Sequence, residues 1–252
     1  MMIGIVGGVG PYAGLDLIKK VFDQTLAGKD QEHVDTILLS LPSGILDRTE
    51  YLEGRVEKNP AFAIADVLTR LQEAGATVAG IPCNTAHVHQ IFHTIIDELQ
   101  RRKRSIHLLN MISETISFIQ SNHPHLKRIG VLSTTGTYRS RVYVKALEQE
   151  GYNVLVPEVE MQEAMIHPAI YDPAYGIKSV SDPIDPHARE NLQRGFDFLE
   201  SKGADGVILG CTEIPLAFPD RFIGGMVAID PTLVLARALL KNSFPNKLKP
   251  LK

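Results

Sequence analysis

Hydrophobic positions along the chain fall into two alternating patterns. Short runs rich in Ile, Val and Leu are separated by longer segments in which apolar residues recur at helical spacing. Strand followed by helix, repeated along the chain, predicts an α/β fold with mainly parallel sheets and right-handed crossovers. The predicted strands are 3–6, 36–39, 77–81, 105–108, 128–132, 153–156, 206–209 and 226–229. The predicted helices are 13–26, 60–73, 85–102, 112–120, 138–150 and 189–201.

A weak internal repeat runs through this pattern. Residues 74–85 read AGATVAGIPCNT and align with residues 202–213, which read KGADGVILGCTE. In both stretches a Gly-Ala pair precedes an apolar strand, and a Cys follows at the same spacing from the Gly. Upstream, GIVGG at 4–8 has a counterpart in GVLST at 130–134. The repeat predicts two similar halves of the chain.

The repeat and the element order together predict a domain organisation. We expect one α/β half from residues 1–103 together with 225–252, whose last part returns as a C-terminal helix, and a second half from residues 104–224. Each half then carries one cysteine at the carboxyl end of a strand, which is where open α/β sheets bind ligands. We therefore expect the active site in the cleft between two pseudo-symmetric halves.

Composition and charge narrow the classes of function. The 252 residues include 26 Lys and Arg against 29 Asp and Glu, with a formal net charge of −3 and no Trp. This balance argues against a nucleic-acid partner. The uncharged residues 1–15 are too short to span a bilayer and lack a basic flank, so we expect no membrane segment and a cytoplasmic location. Cys83 and Cys211 have no CxxC spacing and are expected to be free thiols.

The glycine-rich segment GGVGPYAG at 7–14 fits the letter of the dinucleotide-binding pattern. An NAD site also needs an acidic residue at the end of the second strand, but the strand 36–39 continues into Ser-Leu-Pro. Pro11 further removes a backbone N–H from the turn that would receive the pyrophosphate. The segment therefore indicates a tight strand-to-helix turn more than an NAD site.

Three histidines, His87, His89 and His93, are close enough in sequence to suggest a metal site. No HExxH motif and no cluster of carboxylates accompanies them. We therefore interpret them as histidines of a surface helix and expect no metal.

The two cysteines carry the strongest signal for chemistry. A buried Cys is usually an apolar filler, but each of these directly follows a strand and directly precedes polar residues, Asn84-Thr85 in one case and Thr212-Glu213 in the other. Each also opens a helix or turn, where unpaired N–H groups are expected to lower the thiol pKa below about 8.5. Two opposed thiols suit the removal of a proton from one face of a carbon and its return on the other, which is racemisation or epimerisation.

Five motifs point to one family, and the resemblance covers residues 3 to about 231. The motifs are GGVGP at 7–11, DRT at 47–49, PCNTAH at 82–87, GT at 136–137 and LGCTEI at 209–214. Together they resemble the aspartate/glutamate racemase family, and Glu213 favours its aspartate racemase branch because the related glutamate racemases usually have His there. The resemblance implies a cofactor-independent racemase that interconverts L- and D-aspartate, or glutamate, without pyridoxal phosphate, and that acts as a homodimer.

The resemblance also implies roles for individual residues. Cys83 and Cys211 would be the two bases, and the substrate would be a small amino-acid dicarboxylate. The residues that would surround the substrate are Val9, Gly10, Arg48, Asn84, Thr85, Thr134, Lys178, Thr212 and Glu213. Among them Arg48 and Lys178 would bind the side-chain carboxylate, although on sequence alone Arg48 is equally compatible with a solvated loop charge. The Pro- and Asp-rich segment 171–187 is a candidate lid.

Several alternatives remain open from the residues. Val9 stands where the family usually has Met, and the surroundings of Lys178 depart from the family pattern, so the side-chain specificity is open between aspartate, glutamate and a broader set. A small-dicarboxylate-binding protein would leave both thiols idle, and an NAD-dependent dehydrogenase would bind its cofactor. A decarboxylase of the same superfamily would need a single key cysteine, and the presence of two argues against it.

Overall fold

Nine strands in residues 1–251, which are the residues that the computed structural model describes, form two separate sheets. The first has the order β2-β1-β3-β4 and is parallel throughout. The second has the order β6-β5-β7-β9-β8 and is parallel except for β8. The strands are β1 (Ile3–Gly7), β2 (Thr36–Ser40), β3 (Val78–Gly80), β4 (His107–Leu108), β5 (Arg128–Ser133), β6 (Asn153–Leu155), β7 (Gly206–Gly210), β8 (Phe222–Ile223) and β9 (Met226–Ile229).

Helices connect these strands, and the predicted α/β fold class is confirmed. The helices are α1 (Pro11–Asp23), α2 (Arg48–Leu52), α3 (Ala61–Glu73), α4 (His89–Arg101), α5 (Met111–Asn122), α6 (Thr135–Ser140), α7 (Val142–Gln149), α8 (Val159–Met161), α9 (His167–Tyr171), α10 (Pro186–Ser201), α11 (Ile214–Ala217) and α12 (Pro231–Ser243). Short 3-10 turns lie at Asp30–Glu32, Pro42–Gly44, Asn84–His87 and Pro245–Lys247, and a π-helical turn at Gln162–Ile166 joins α8 to α9. None of these helices in residues 1–251 is long and apolar enough to cross a membrane.

The chain divides into two compact units. The first comprises Met1–Glu114 and the returning segment from Thr232 onward, and the second comprises Thr115–Pro231. Both boundaries between the units lie later in the chain than the boundaries predicted from the sequence. The physical reason is strand pairing, because β4 extends the first sheet beside β3 and β9 extends the second sheet beside β7.

The first unit has helices on both faces of its sheet. Alternate residues of β1 point to opposite faces, so that Ile3 and Ile5 join the apolar cluster of α1 and the returning α12, whereas Val6 joins the cluster of α3 and α4. The central strands β1 and β3 are buried on both faces, which explains why they are continuous apolar runs. In the second unit, α9 and α10 pack on the sheet through residues such as Ile170 on α9 and Phe196 on α10.

The internal repeat appears in the backbone as a matched helix end. Helices α3 and α10 are each followed by a glycine with positive φ, Gly75 at 104° and Gly203 at 83°. The next residue bonds back to the helix in both units, from Ala76 N to Leu71 O at 2.9 Å and from Ala204 N to Leu199 O at 3.1 Å. This is the Schellman arrangement, which glycine permits because it lacks a Cβ. Each unit therefore enters in the same way the strand that its cysteine follows.

The structure corrects two of the predicted helices. The prediction 85–102 is interrupted at Val88, whose extended backbone separates the turn Asn84–His87 from α4. The prediction 138–150 is interrupted at Arg141, whose left-handed backbone at φ 55° separates α6 from α7. Hydrophobic spacing continues across both breaks, so periodicity alone does not reveal them.

Candidate active site

Cys83 lies in the first unit, three residues after the end of β3. Its amide donates to Ile81 O at 2.8 Å, and its carbonyl accepts from Ala86 N at 3.1 Å as the 3-10 turn begins. Asn84 and Thr85 follow within that turn and are buried, as is Cys83 itself. The thiol is free. This turn therefore presents a thiol and two polar side chains at the carboxyl end of a buried strand, as the sequence predicts.

His87 closes the same turn and is not a surface histidine. It is only 3% exposed, in contrast to His89 and His93, which lie on α4 and are less buried. Its Nδ1 lies 2.9 Å from Cys83 O, and its ring stacks on Phe92 at 5.0 Å between centroids. Burial lowers the pKa of His87 to about 4, so that the ring is neutral near pH 7. No cluster of three or more metal-ligating side chains occurs within residues 1–251.

Arg48 connects the glycine-rich loop to this turn. Its guanidinium donates to Val9 O at 2.5 Å and to Leu46 O at 3.1 Å, and the residue is 6% exposed. Helix α2, which begins at Arg48, packs against the turn Asn84–His87. Asp47 caps α2 by accepting from Thr49 N at 2.8 Å. The alternative interpretation of Arg48 as a solvated loop charge is therefore wrong.

The glycine-rich loop has a steric reason for its composition. Gly8 has φ 81°, and a Cβ there would lie 2.7 Å from Pro42 N. Gly10 precedes α1 and Pro11 occupies its first turn, which is a favourable position for proline. Val9 is buried in the same apolar cluster as Ile45 and Cys83. The structure thus brings Val9, Arg48 and Cys83 into one region of the first unit.

In the second unit, Cys211 directly follows β7 and contacts a buried carboxylate. The thiol donates to Glu213 Oε2 at 3.0 Å, and Thr212 Oγ1 lies 3.3 Å from the same oxygen. Glu213 Oε1 lies 2.8 Å from Lys178 Nζ. The Lys178 ammonium also lies 5.6 Å from the centre of the Tyr171 ring. The sequence predicts Thr212, Glu213 and Lys178 individually near substrate, and the structure joins them into one network with the thiol.

The electrostatic environment of Cys211 differs from the sequence expectation. Burial raises the pKa of the Cys211 thiol well above its ordinary value, and the negative charge of Glu213 raises it further, against a smaller opposing effect of Lys178. The expectation that a turn start lowers this pKa is therefore wrong for Cys211. Desolvation and a nearby anion outweigh the backbone N–H groups, because only a four-residue helix, α11, follows the thiol.

Thr134 lies beside this network at the end of β5. Ser133 pairs in register with Gly210, so the residues after them, Thr134 and Cys211, leave neighbouring strands at the same edge. Thr134 caps α6, its Oγ1 accepting from Thr137 N at 3.3 Å. The segment that links α9 to α10 and carries Lys178 is anchored by Ile177 N to Ala169 O at 3.0 Å.

Gln162 is a buried residue of this region that sequence reasoning missed. Its Nε2 donates to Ser133 O at 3.1 Å and to Thr135 Oγ1 at 3.3 Å, on either side of Thr134. His167 Nδ1 lies 3.0 Å from the same Thr135 oxygen. Gln162 begins the π-helical turn, a local geometry that is frequent at functional sites. No sequence motif marks this glutamine, which only the fold brings to the end of β5.

The four parallel strands of the two sheets follow the same order, and each unit has a buried thiol after the corresponding strand. Comparisons with known proteins agree with this arrangement. The chain matches the sequence model of the Asp/Glu/hydantoin racemase family over residues 6–239, and it belongs to that family. It is accordingly an isomerase of the racemase class.

Individual relatives cover the chain almost completely. The broad specificity amino-acid racemase RacX of Bacillus subtilis (strain 168) is 28% identical over 241 residues, which are 94% of this chain and 96% of that protein. The aspartate racemase of Picrophilus torridus superposes with a TM-score of 0.80 at 29% identity, covering 98% of this chain and 96% of the other. An aspartate racemase homologue from Pyrococcus horikoshii OT3, at 23% identity and a TM-score of 0.69 over 96% and 98% of the two chains, shares the fold.

Proposed function

We propose that this racemase interconverts the L and D enantiomers of an acidic amino acid, with aspartate as the preferred substrate, by a two-base proton transfer that needs no cofactor. The observation that carries the proposal is the placement of Cys83 and Cys211. Each is a buried free thiol just after the equivalent strand, β3 or β7, of two sheets whose four parallel strands follow the same order. The names of the aspartate racemase of Picrophilus torridus and of RacX support an amino-acid substrate.

The proposed reaction uses one cysteine as thiolate and the other as thiol. The thiolate takes the Cα proton, so that a new S–H bond forms while the Cα–H bond breaks and its electron pair delocalises into the α-carboxylate. The second thiol gives its proton to the opposite face of Cα, which inverts the centre. After one turnover the protonation states of Cys83 and Cys211 are exchanged, and proton exchange with solvent restores them.

The carbanionic transition state needs fixed hydrogen-bond donors around the α-carboxylate. We assign this role to Asn84 and Thr85 in the first unit and to Thr134 and Thr212 in the second. All four side chains are buried, so each is held in place by its surroundings before substrate binds. Exclusion of water strengthens their interaction with the developing charge.

Two cations support a substrate with a second carboxylate. Arg48 is buried beside the glycine-rich loop, and an arginine can bind a carboxylate through two parallel N–H donors. Lys178 contributes an ammonium in the second unit, where its side chain keeps 20% of its surface exposed. We propose these two residues for the side-chain carboxylate. The homodimer, the cytoplasmic location and the lid at 171–187 stay predictions.

The proposal is tested by incubating each enantiomer of aspartate in D₂O with the purified protein and no pyridoxal phosphate. We expect racemisation together with deuterium at Cα. Cys83→Ser and Cys211→Ser should each lower racemisation by about 10²–10⁴-fold, the usual contribution of a general acid or base. Circular dichroism and thermal melting check that both variants remain folded.

Parallel incubations with glutamate and alanine define the specificity. Faster turnover of aspartate than of alanine would support the proposed binding of the side-chain carboxylate by Arg48 and Lys178. Equal turnover of aspartate, glutamate and alanine would support a broad specificity. Absence of racemisation and of deuterium exchange with every amino acid would contradict the proposal, and so would full activity of either serine variant. Binding of aspartate without any exchange would instead support the alternative of a dicarboxylate-binding protein.

A further inference from the structure

The two oxygens of the Glu213 carboxylate have different partners. Oε1 pairs with the Lys178 ammonium at 2.8 Å, and Oε2 accepts a hydrogen bond from the Cys211 thiol at 3.0 Å. Both Glu213 and Cys211 are 3% exposed. The three groups therefore form a series of a half-buried cation, a buried anion and a buried thiol. In this series the lysine orients the carboxylate, and the carboxylate faces the sulfur.

A carboxylate at this position discriminates between the two states of the cysteine. The neutral thiol is a hydrogen-bond donor and can point its hydrogen at Oε2, whereas the thiolate would place a second negative charge against the same oxygen. The discrimination is strong because neither group is screened by water. Lys178 opposes it only in part, because its ammonium contacts Oε1, the other oxygen of the carboxylate.

We propose that Glu213 is a positioning residue for Cys211: its carboxylate, held by Lys178, accepts the thiol hydrogen and keeps Cys211 protonated when no substrate is bound. The inference rests on the proposed function, in which Cys211 is one of two acid–base thiols. In that reaction Cys211 would be the thiol that is prepared to donate a proton.

The charged groups around the thiol support this assignment. Glu213 and Lys178 are the charged residues that act on Cys211, the first raising and the second lowering its pKa, and burial raises it most. Lys178 in turn lies over the ring of Tyr171, which stacks on His167. The neighbouring end of β5 and the start of α6 carry neutral side chains, those of Ser133, Thr134 and Thr135.

The symmetry of the reaction decides which measurement can detect this role. The two enantiomers have equal free energy, so kcat/KM is the same in both directions at every pH, whatever the residue at position 213. The thiol itself must therefore be observed. The chain has only two cysteines, so Cys83→Ser leaves Cys211 as the single thiol.

The experiment follows thiolate formation in the Cys83→Ser protein between about pH 6 and pH 11, spanning the ordinary thiol pKa near 8.5. The readouts are ultraviolet absorbance of the thiolate and the rate of iodoacetamide alkylation, located by mass spectrometry. Adding Glu213→Gln should lower the midpoint by at least about one pH unit, because it removes the anion and keeps an amide of similar shape. The matched control is Glu190→Gln, an exposed surface carboxylate paired with Arg194.

An unchanged or raised midpoint of thiolate formation in Glu213→Gln would overturn the proposal. If Glu213 had a purely structural role, the substitution would lower the melting temperature without moving this midpoint. If the glutamine variant fails to fold, Glu213→Ser is titrated instead, with the same expected direction. In the protein with both cysteines, Glu213→Gln should change kcat and KM by different factors in the two directions while their ratios stay equal. The titration needs no turnover, so it distinguishes failure of this inference from failure of the proposed racemisation.

Discussion

At the residue scale, the principal finding is that charged and polar side chains of the candidate site are buried and already paired within the protein. Arg48 is held by the carbonyls of Leu46 and Val9, and Glu213 lies between Lys178 and Cys211. Buried polar groups are costly unless they are hydrogen-bonded. Within each unit these contacts therefore fix the local geometry before any substrate arrives, which is what a proton transfer with a demanding barrier requires.

His87 gives a prediction about pH and stability. Its pKa is about 4 in the folded protein because of burial, whereas the pKa of a histidine in an unfolded chain is about 6.5. The folded state thus favours the neutral ring, and this stabilisation is complete above about pH 6.5 and is lost as the pH falls through about 4. The loss between pH 7 and pH 4 should be about 3 kcal/mol.

The check is urea unfolding of the wild type and of His87→Gln at pH 7 and pH 4. The stability difference between the two proteins should shift by about 3 kcal/mol in favour of the glutamine variant at the lower pH, because glutamine does not titrate. His89→Gln, which alters a histidine at the start of α4, should follow the wild type at both values. Parallel behaviour of His87→Gln and the wild type would show that the ring does not resist protonation.

At the element scale, the turn between β1 and α1 depends on close packing of backbone against backbone. Gly8 combines a positive φ of 81° with a crowded position, because a Cβ there would lie 2.7 Å from Pro42 N and 2.8 Å from the Leu41 backbone. Gly54, after α2, has a similar φ of 74° but open space around it. A side chain at Gly54 would therefore meet only an unfavourable backbone conformation, whereas a side chain at Gly8 would also meet a steric clash.

Alanine substitutions at these two positions should differ in stability. Gly54→Ala should cost about 1–2 kcal/mol, which is the usual penalty of a left-handed backbone for an L-residue. Gly8→Ala should cost at least about 1 kcal/mol more, because the new methyl group also displaces the loop around Pro42. Urea unfolding at neutral pH measures both changes in the free energy of unfolding. Equal changes would show that the loop around Pro42 can move to accommodate the methyl group without loss of stability.

At the scale of the whole molecule, the chain returns to complete the first unit. Leu235 on α12 is fully buried in the cluster that contains Ile3, and it packs on Gly80 of β3. Leu235→Ala should therefore destabilise the protein by about 2–5 kcal/mol through lost burial and a cavity. Leu15→Ala, on the exposed face of α1, should cost less than about 1 kcal/mol. Urea unfolding compares the two, and a mild effect at Leu235 would contradict a core role for α12.

Much of this architecture could be predicted from the sequence, because buried parallel strands are recognisable apolar runs and the repeat marks their equivalence. The cysteines were identifiable because each follows such a run. Other features depend on tertiary structure. Lys178 and Glu213 are 35 residues apart in sequence, so no local pattern reveals their pairing. Likewise, the burial of Arg48 and the position of Gln162 arise from packing, and the raised pKa of Cys211 arises from a carboxylate whose direction only the fold determines.

The matched strand orders of the two units have an evolutionary consequence. Each unit holds its own version of one loop architecture, so a substitution in one unit need not rebuild the loops of the other. Here the first unit carries an arginine at position 48 and the second a lysine–glutamate pair at 178 and 213. Under the proposed function, substitutions at these positions in one unit would change the substrate range while the cysteine of the other unit stays in place. Within such a lineage, new substrate preferences would arise more readily than new chemistry.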